Sequence, residues 1–434
     1  MLSSHSEKRW FGHTILILLS YLPAQVFGKN PTEITLWRHL AGEAEMMAYE
    51  AAIERFNQSQ NQWKIVSDYI YEAAYTQSIN AAAKAKILPC IIDVDQPLIP
   101  NFAWQGFLQP LDQFIESDVL DKITPSGKGY YRGRLYSAGQ FEAVLSLFTR
   151  KSLLKAIKAR FPTIEHPWDK DEFMQVMDKI KATGRYDYPL DIKANDLTEW
   201  IPYAWAPWML SWGADLINRN NYYEVDGILN SEKAVEFGQW IHSLVREKYI
   251  NPKPNDKHGF LYGRVAIQYN GSWALNEYSK ALGKDLAILP VPDFGAGPMI
   301  GAGSWQWGIT TSCPYPDAAK AFINFLLSDK EIAAISEATS MIPTSAAAAA
   351  LTKNYSASGQ WHFLFSVSDK LSKYRPATPA YPVISSSYKK AISDILQGLD
   401  PQTAFDLAVE NIEAAIERHQ YYSSREQRNK NGYE

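Results

Sequence analysis

The chain has 434 residues, an apolar fraction of 46% and a formal net charge of −4. That length predicts two or three domains with sizeable cores, and an acidic pI near 6.1 leaves no basic footprint for nucleic acid. With 14 Trp and 25 Tyr the chain is rich in rings, which suit a flat polar ligand such as a sugar and also suit large cores.

The N-terminus reads as a signal peptide over residues 1–28. Lys8 and Arg9 supply the positive region, and residues 14–22 an apolar run too short to span a bilayer. Val26 and Gly28 are small residues suited to a cleavage site, and no cysteine stands near for a lipid anchor. No later apolar run is long enough to cross a membrane, so an exported, periplasmic protein is expected.

Strands are predicted at 33–38, 63–70 and 91–94, and helices at 43–57 and 75–86. This β-α-β-α-β rhythm implies a parallel sheet with right-handed crossovers, in the α/β class. A helix and turn over 101–112 lead to strand structure at 133–136 and 142–149. Helices are expected near 168–181, 200–212 and 231–247.

Residues 263–274 then read as a turn, a short alternating strand over 265–269, and Asn270-Gly271-Ser272, turn chemistry able to leave backbone N–H groups free. Trp273 follows at a helix start, the usual ligand edge of an open α/β sheet. It suits an aromatic platform at a cleft mouth, or a core ring closing the strand–helix corner. A strand at 286–289, helices at 316–327 and 330–337, a rigid linker at 375–382 and helices at 383–397 and 401–418 complete the chain, with a polar, fraying end at 419–434. Cys90 and Cys313 are far apart in sequence and are expected as buried free thiols.

Signatures of enzymes are missing. The sequence has no Gly-x-Ser-x-Gly elbow, Walker loop or dinucleotide fingerprint, and its eight histidines form no metal pair at helical spacing. No cofactor is expected. His39 and Glu43 have the spacing of a surface or capping contact. The carboxylates Glu43, Glu45, Asp95 and Glu142 lie near predicted strand ends. Two facing carboxyl groups would suit a glycosidase, and a carboxylate that accepts two hydroxyl hydrogen bonds would suit a sugar-binding site. Helix N-terminal acids alone would explain Glu43 and Glu45. Pro376 biases Arg375 to an extended conformation, able to fork onto vicinal hydroxyls or a carboxylate.

An ordered set of motifs resembles one family. It comprises Gly263-Arg264-Val265-Ala266-Ile267 with Gly271-Ser272-Trp273-Ala274, then Leu289-Pro290-Val291-Pro292, residues 301–309, Pro316-Asp317-Ala318-Ala319-Lys320-Ala321-Phe322, and Ile342-Pro343-Thr344. The family is the extracellular solute-binding proteins of bacterial ABC sugar importers, with the maltose- and trehalose-binding subgroup the most similar. The resemblance implies a periplasmic-binding-protein fold of two α/β lobes with three hinge crossovers and a ligand cleft between them. The lobes would comprise 29–140 with 303–342, and 141–302 with 343–434.

It further implies contacts from Glu43, Asp95, Phe141, Trp273, Ser304, Trp305 and Arg375, with Glu72, Tyr75 and Glu142 as weaker candidates. Ala143 stands where some relatives carry an aspartate. The implied activity is capture of a small neutral glycoside (trehalose, maltose, sucrose or glucosylglycerol) by a monomer that delivers it to a membrane permease with a cytoplasmic ATPase. A glycerol-phosphate carrier, a secreted glycosidase and a sensory protein with a degraded site are the rivals.

Overall fold

A computed structural model describes residues 30–196, 198–256 and 258–421. The expected signal peptide and the residues after 421 lie outside the described residues. The first strands are β1 (Thr32–Leu40), β2 (Trp63–Tyr71) and β3 (Ile91–Asp95), joined by helices α1 (Glu43–Ser59) and α2 (Glu72–Ala85). β1 pairs parallel with both neighbours, as the alternating helix–strand rhythm requires. The chain continues through β4 (Lys128–Tyr131), β5 (Arg134–Ala138), β6 (Phe141–Glu142), β7 (Leu145–Arg150), β8 (Tyr188–Asp191), β9 (Val265–Gly271) and β10 (Leu286–Leu289). β11 (Ile300–Ala302), β12 (Trp305–Ile309), β13 (Ile342–Pro343) and β14 (Ser372–Tyr374) complete the strands.

Two larger sheets result. One has six strands in the order β2-β1-β3-β12-β5-β4, the other four in the order β10-β7-β9-β8. Each lies against its own apolar cluster. Ile34, Leu36, Ile91, Phe56, Phe322 and Ile323 pack together on the first sheet; Leu147, Phe148, Ile267, Tyr269, Trp208 and Phe237 pack on the second. The chain passes between the sheets three times, through β6, between β11 and β12, and through β13. Small ladders accompany these passages: β13 pairs with β6, and β11 with β14. Tyr381, at the start of the helix Tyr381–Leu396, inserts into a cluster built on Ile92, Val94 and Phe102 of the first half.

Three local expectations are corrected. Cys90 and Cys313 form a disulfide, with Cα atoms 4.0 Å apart, because β3 and β12 pair antiparallel and bring the residues beyond Ile91 and Ile309 together. Asn270 and Gly271 extend β9, paired with Ser146 and Leu145, and the Ser272 N–H donates to the Val144 carbonyl, so these groups are not free. Segment 200–212 is not one regular α-helix: Ile201–Trp205 winds as a π-helix before the α-helix Ala206–Ser211, whose Pro207 has no N–H to donate back.

Candidate functional site

The carboxyl ends of β1, β2, β3, β8 and β9 point to one space between the sheets, where strand ends leave loops free to carry function. β12 and β7 run antiparallel to their neighbours, so their first residues reach the same edge: Trp305 is opposite Asp95, and Leu145 opposite Gly271. The space is a cavity of about 1110 Å³.

The first wall is built on a buried charge cluster. The His39 backbone N–H donates to Asp93 Oδ1 at 3.1 Å, and His39 Nδ1 lies 2.6 Å from Asp93 Oδ2. Arg38 donates to Glu45 and lies over the Tyr49 ring, its Nε 3.4 Å from Asp93. Sequence spacing suggested a His39–Glu43 surface contact; the side chain is buried and serves Asp93 instead. Its ring carries Trp305, stacked at 3.6 Å and 10°. Glu43 is exposed at the start of α1, and Glu72 begins α2; both line the cavity. Burial, reinforced by Asp95, Asp196 and Glu45 and opposed by His39, pushes the Glu72 carboxyl up to about 7.

The second wall is aromatic. Trp273 lies edge-on to Trp200 at 6.2 Å and tilted to Tyr203 at 6.5 Å. A Cβ on Gly271 would fall 2.1 to 2.4 Å from the Trp273 ring, so only glycine lets the indole fold back over the end of β9. The Lys193 ammonium lies 4.6 Å from the Trp200 ring centre and 5.6 Å from that of Trp273. Burial lowers its pKa, while Asp196, Asp191 and Glu72 hold it up.

A buried ion pair ties the walls near the hinge. Arg375 forks onto Asp95 with two hydrogen bonds of 2.6 Å, and its guanidinium lies 5.0 Å from the Tyr203 ring centre. Burial works against the arginine's charge, but Asp95, Tyr381 and Glu199 outweigh it and raise its pKa. Behind it Glu199 accepts from Tyr381, Ser385 and Lys389. Burial alone would raise the Glu199 pKa; Lys389 and Arg375 hold it below the usual value.

Of the expected residues, Glu43, Glu72, Asp95, Phe141, Trp273, Ser304, Trp305 and Arg375 line the cavity. Arg375 meets a carboxylate, one of its two expected partners, so Asp95 and Arg375 satisfy each other here. Two candidates do not line it. The Tyr75 O–H donates to the Trp37 carbonyl from within the core. Glu142 accepts from Thr124 at 2.7 Å and Ser368 at 2.8 Å, on the side opposite the cavity-lining Phe141 and Ala143, as strand alternation dictates. His39, Lys193, Trp200 and Tyr203 also line the cavity, and sequence reasoning passed over them as site residues. For Lys193 the signal was Asp191 two positions earlier, which caps its backbone N–H at 2.7 Å.

The family described as bacterial extracellular solute-binding protein matches residues 51–362. The sn-glycerol-3-phosphate-binding periplasmic protein UgpB of Yersinia pestis is 24% identical over 355 residues, covering 74% of this chain and 76% of that protein. An uncharacterized lipoprotein of Streptomyces antibioticus is 23% identical over 326 residues, 73% of this chain and 68% of its own. The GacH receptor of Streptomyces glaucescens, solved unliganded and with acarbose, superposes with a TM-score of 0.76 at 21% identity, covering 91% of this chain and 100% of that one. The maltose/maltodextrin-binding domain MalE of Bdellovibrio bacteriovorus, bound to maltotriose, gives 0.75 at 20% identity over 89% of this chain and 100% of its own. These likenesses establish the two-lobed periplasmic-binding fold. No helix among the described residues is long and apolar enough to cross a membrane.

Proposed function

The chain belongs to the bacterial extracellular solute-binding protein family, and from that premise we propose that it captures a neutral glycoside between its lobes for an ABC importer. The observation that carries this reading is the pair of tryptophans, Trp273 and Trp305, brought to one cavity from opposite sheets. Indole faces suit the apolar faces of sugar rings, and the carboxylates around them accept hydroxyl hydrogen bonds. The volume of about 1110 Å³ lies just above the span of small-ligand sites, roughly 300–1,000 Å³. That leaves room for a disaccharide such as trehalose, maltose or sucrose, or for glucosylglycerol. The sugar-binding structures of the same fold agree with the class.

Charge argues against the glycerol-phosphate alternative raised by UgpB. Glu43, Glu72, Asp191 and Asp196 line the cavity and outnumber Lys193, the one lysine among its lining residues, whereas Arg375 is already engaged by Asp95. A phosphate would enter a field of like sign. In this reading the lobes run over 29–140 with 303–342 and over 141–302 with 343–434, ligand contacts to both favour closure, and a monomer carries the ligand from the periplasm to a permease.

Calorimetry with maltose, maltotriose, trehalose, sucrose, glucosylglycerol and glycerol 3-phosphate tests the reading. A neutral member is expected to bind at one site per chain and to be recovered unhydrolysed. Binding of glycerol 3-phosphate alone, or turnover of a sugar, would overturn it.

A further inference from the structure

Lys193 is set up unlike the other cations of the cleft. It follows β8, the edge strand of the second sheet, in a left-handed conformation with φ +52°. The Asp191 carboxylate fixes its backbone N–H, which aims the side chain across the Trp200 and Trp273 faces. Arg375 is spent on Asp95, His39 on Asp93, and His258 lies 3.7 Å from Glu277. The Lys193 ammonium forms no hydrogen bond or ion pair with a described residue.

Glu72 stands on the opposite wall, at the carboxyl end of β2, and its carboxylate likewise makes no hydrogen bond or ion pair with a described residue. Asp196 and Asp191 support the Lys193 charge more than Glu72 does, and no hydrogen bond or ion pair joins Lys193 to Glu72. A donor and an acceptor thus line one cavity from two sheets without bonding each other. Leaving both without a hydrogen-bond partner in a partly desolvated site is costly, so the cavity they line suits a polar ligand group.

We propose that Lys193 and Glu72 form a specificity clamp on the ligand beside Trp273, Lys193 donating to a sugar oxygen and Glu72 accepting from a sugar hydroxyl. The clamp rests on the sugar-carrier reading and deepens it by naming the chemistry selected. A hydroxyl offers both a donor and an acceptor, so adjoining hydroxyls of a neutral sugar satisfy the two groups at once. A carboxylated or phosphorylated sugar would pair with Lys193 but meet Glu72, Asp191 and Asp196.

The test is calorimetry at pH 8, where Glu72 is mostly ionised, on the wild type, Lys193→Met, Glu72→Gln and the double variant, with maltose, maltotriose, trehalose, sucrose and glucosylglycerol. Each single variant is expected to weaken the same sugar by about tenfold or more, the range for hydrogen bonds to charged groups. The double variant should lose less than the product of the two, since both grip one unit. Near-UV circular dichroism separates loss of grip from loss of fold, and Lys193→Arg, which keeps the charge, should retain part of the affinity that Lys193→Met loses. Folded single variants that bind the sugar within about twofold of the wild type would overturn the clamp and leave the carrier reading standing. A wild type that binds none of the five sugars would overturn both.

Discussion

The two walls of the cleft hold their tryptophans by different means. Trp305 lies flat on His39, whose ring and backbone are both fastened to Asp93. Trp273 meets its neighbours edge-on or tilted at 6.2 and 6.5 Å, with a lysine ammonium over the pair. Trp305 therefore has one face already covered, and its position is set by a hydrogen-bonded ring. Trp273 is placed by packing and by the lack of a side chain at Gly271. The first wall is thus set by paired charges and hydrogen bonds, the second by ring packing.

The comparison is broken most severely where the walls are tied. Arg375→Met leaves Asp95 buried without its cation and should destabilise the protein by about 3–5 kcal/mol, measured by urea unfolding. A loss under about 1 kcal/mol would mean the tie contributes little. The next effect concerns the first wall alone. The disulfide clamps β3 against β12 at the end away from Asp95 and Trp305. Cys90→Ser with Cys313→Ser should cost about 2–4 kcal/mol, and mass spectrometry of the native chain should find no free thiol. Two alkylatable thiols in the native protein would contradict the pairing.

The smallest effect is at Glu72, where water entering the cleft screens the charge. Its folded pKa of about 7 lies above the ordinary value of 4.5. A raised carboxyl contributes stability that is complete below its unfolded pKa and lost as pH rises through the folded one. The wild type should therefore lose melting temperature between about pH 4.5 and 8 relative to Glu72→Gln, with the two alike near pH 4. Parallel curves across that window would place Glu72 in open water.

Much of the fold was legible because its periodicities are strong. Alternation in 33–38, the strand read at 63–70 and helical spacing in 43–57 recur as β1, β2 and α1 with ends shifted by no more than two residues. The second sheet was harder to read. β8 is four residues, Tyr-Pro-Leu-Asp, and a proline argues against a strand except at an edge, which is where β8 lies. With β8 missed, nothing marked Lys193 as a residue at a strand's carboxyl end. His39 was visible but was matched to the near Glu43, because sequence offers local partners and Asp93 is 54 positions away. The cysteines were misjudged for the same reason: β3 and β12 are neighbours only after the chain has passed through the second sheet and returned.

The most direct test of the account is calorimetry of one sugar, the neutral glycoside the wild type binds best, on Trp273→Ala and Trp305→Ala. If the ligand lies between the walls, both variants should bind it more weakly, by about 1–3 kcal/mol each, the range for lost aromatic stacking. A folded variant of either that binds the sugar as the wild type does would show that the ligand rests on one wall only, and would contradict capture between the lobes.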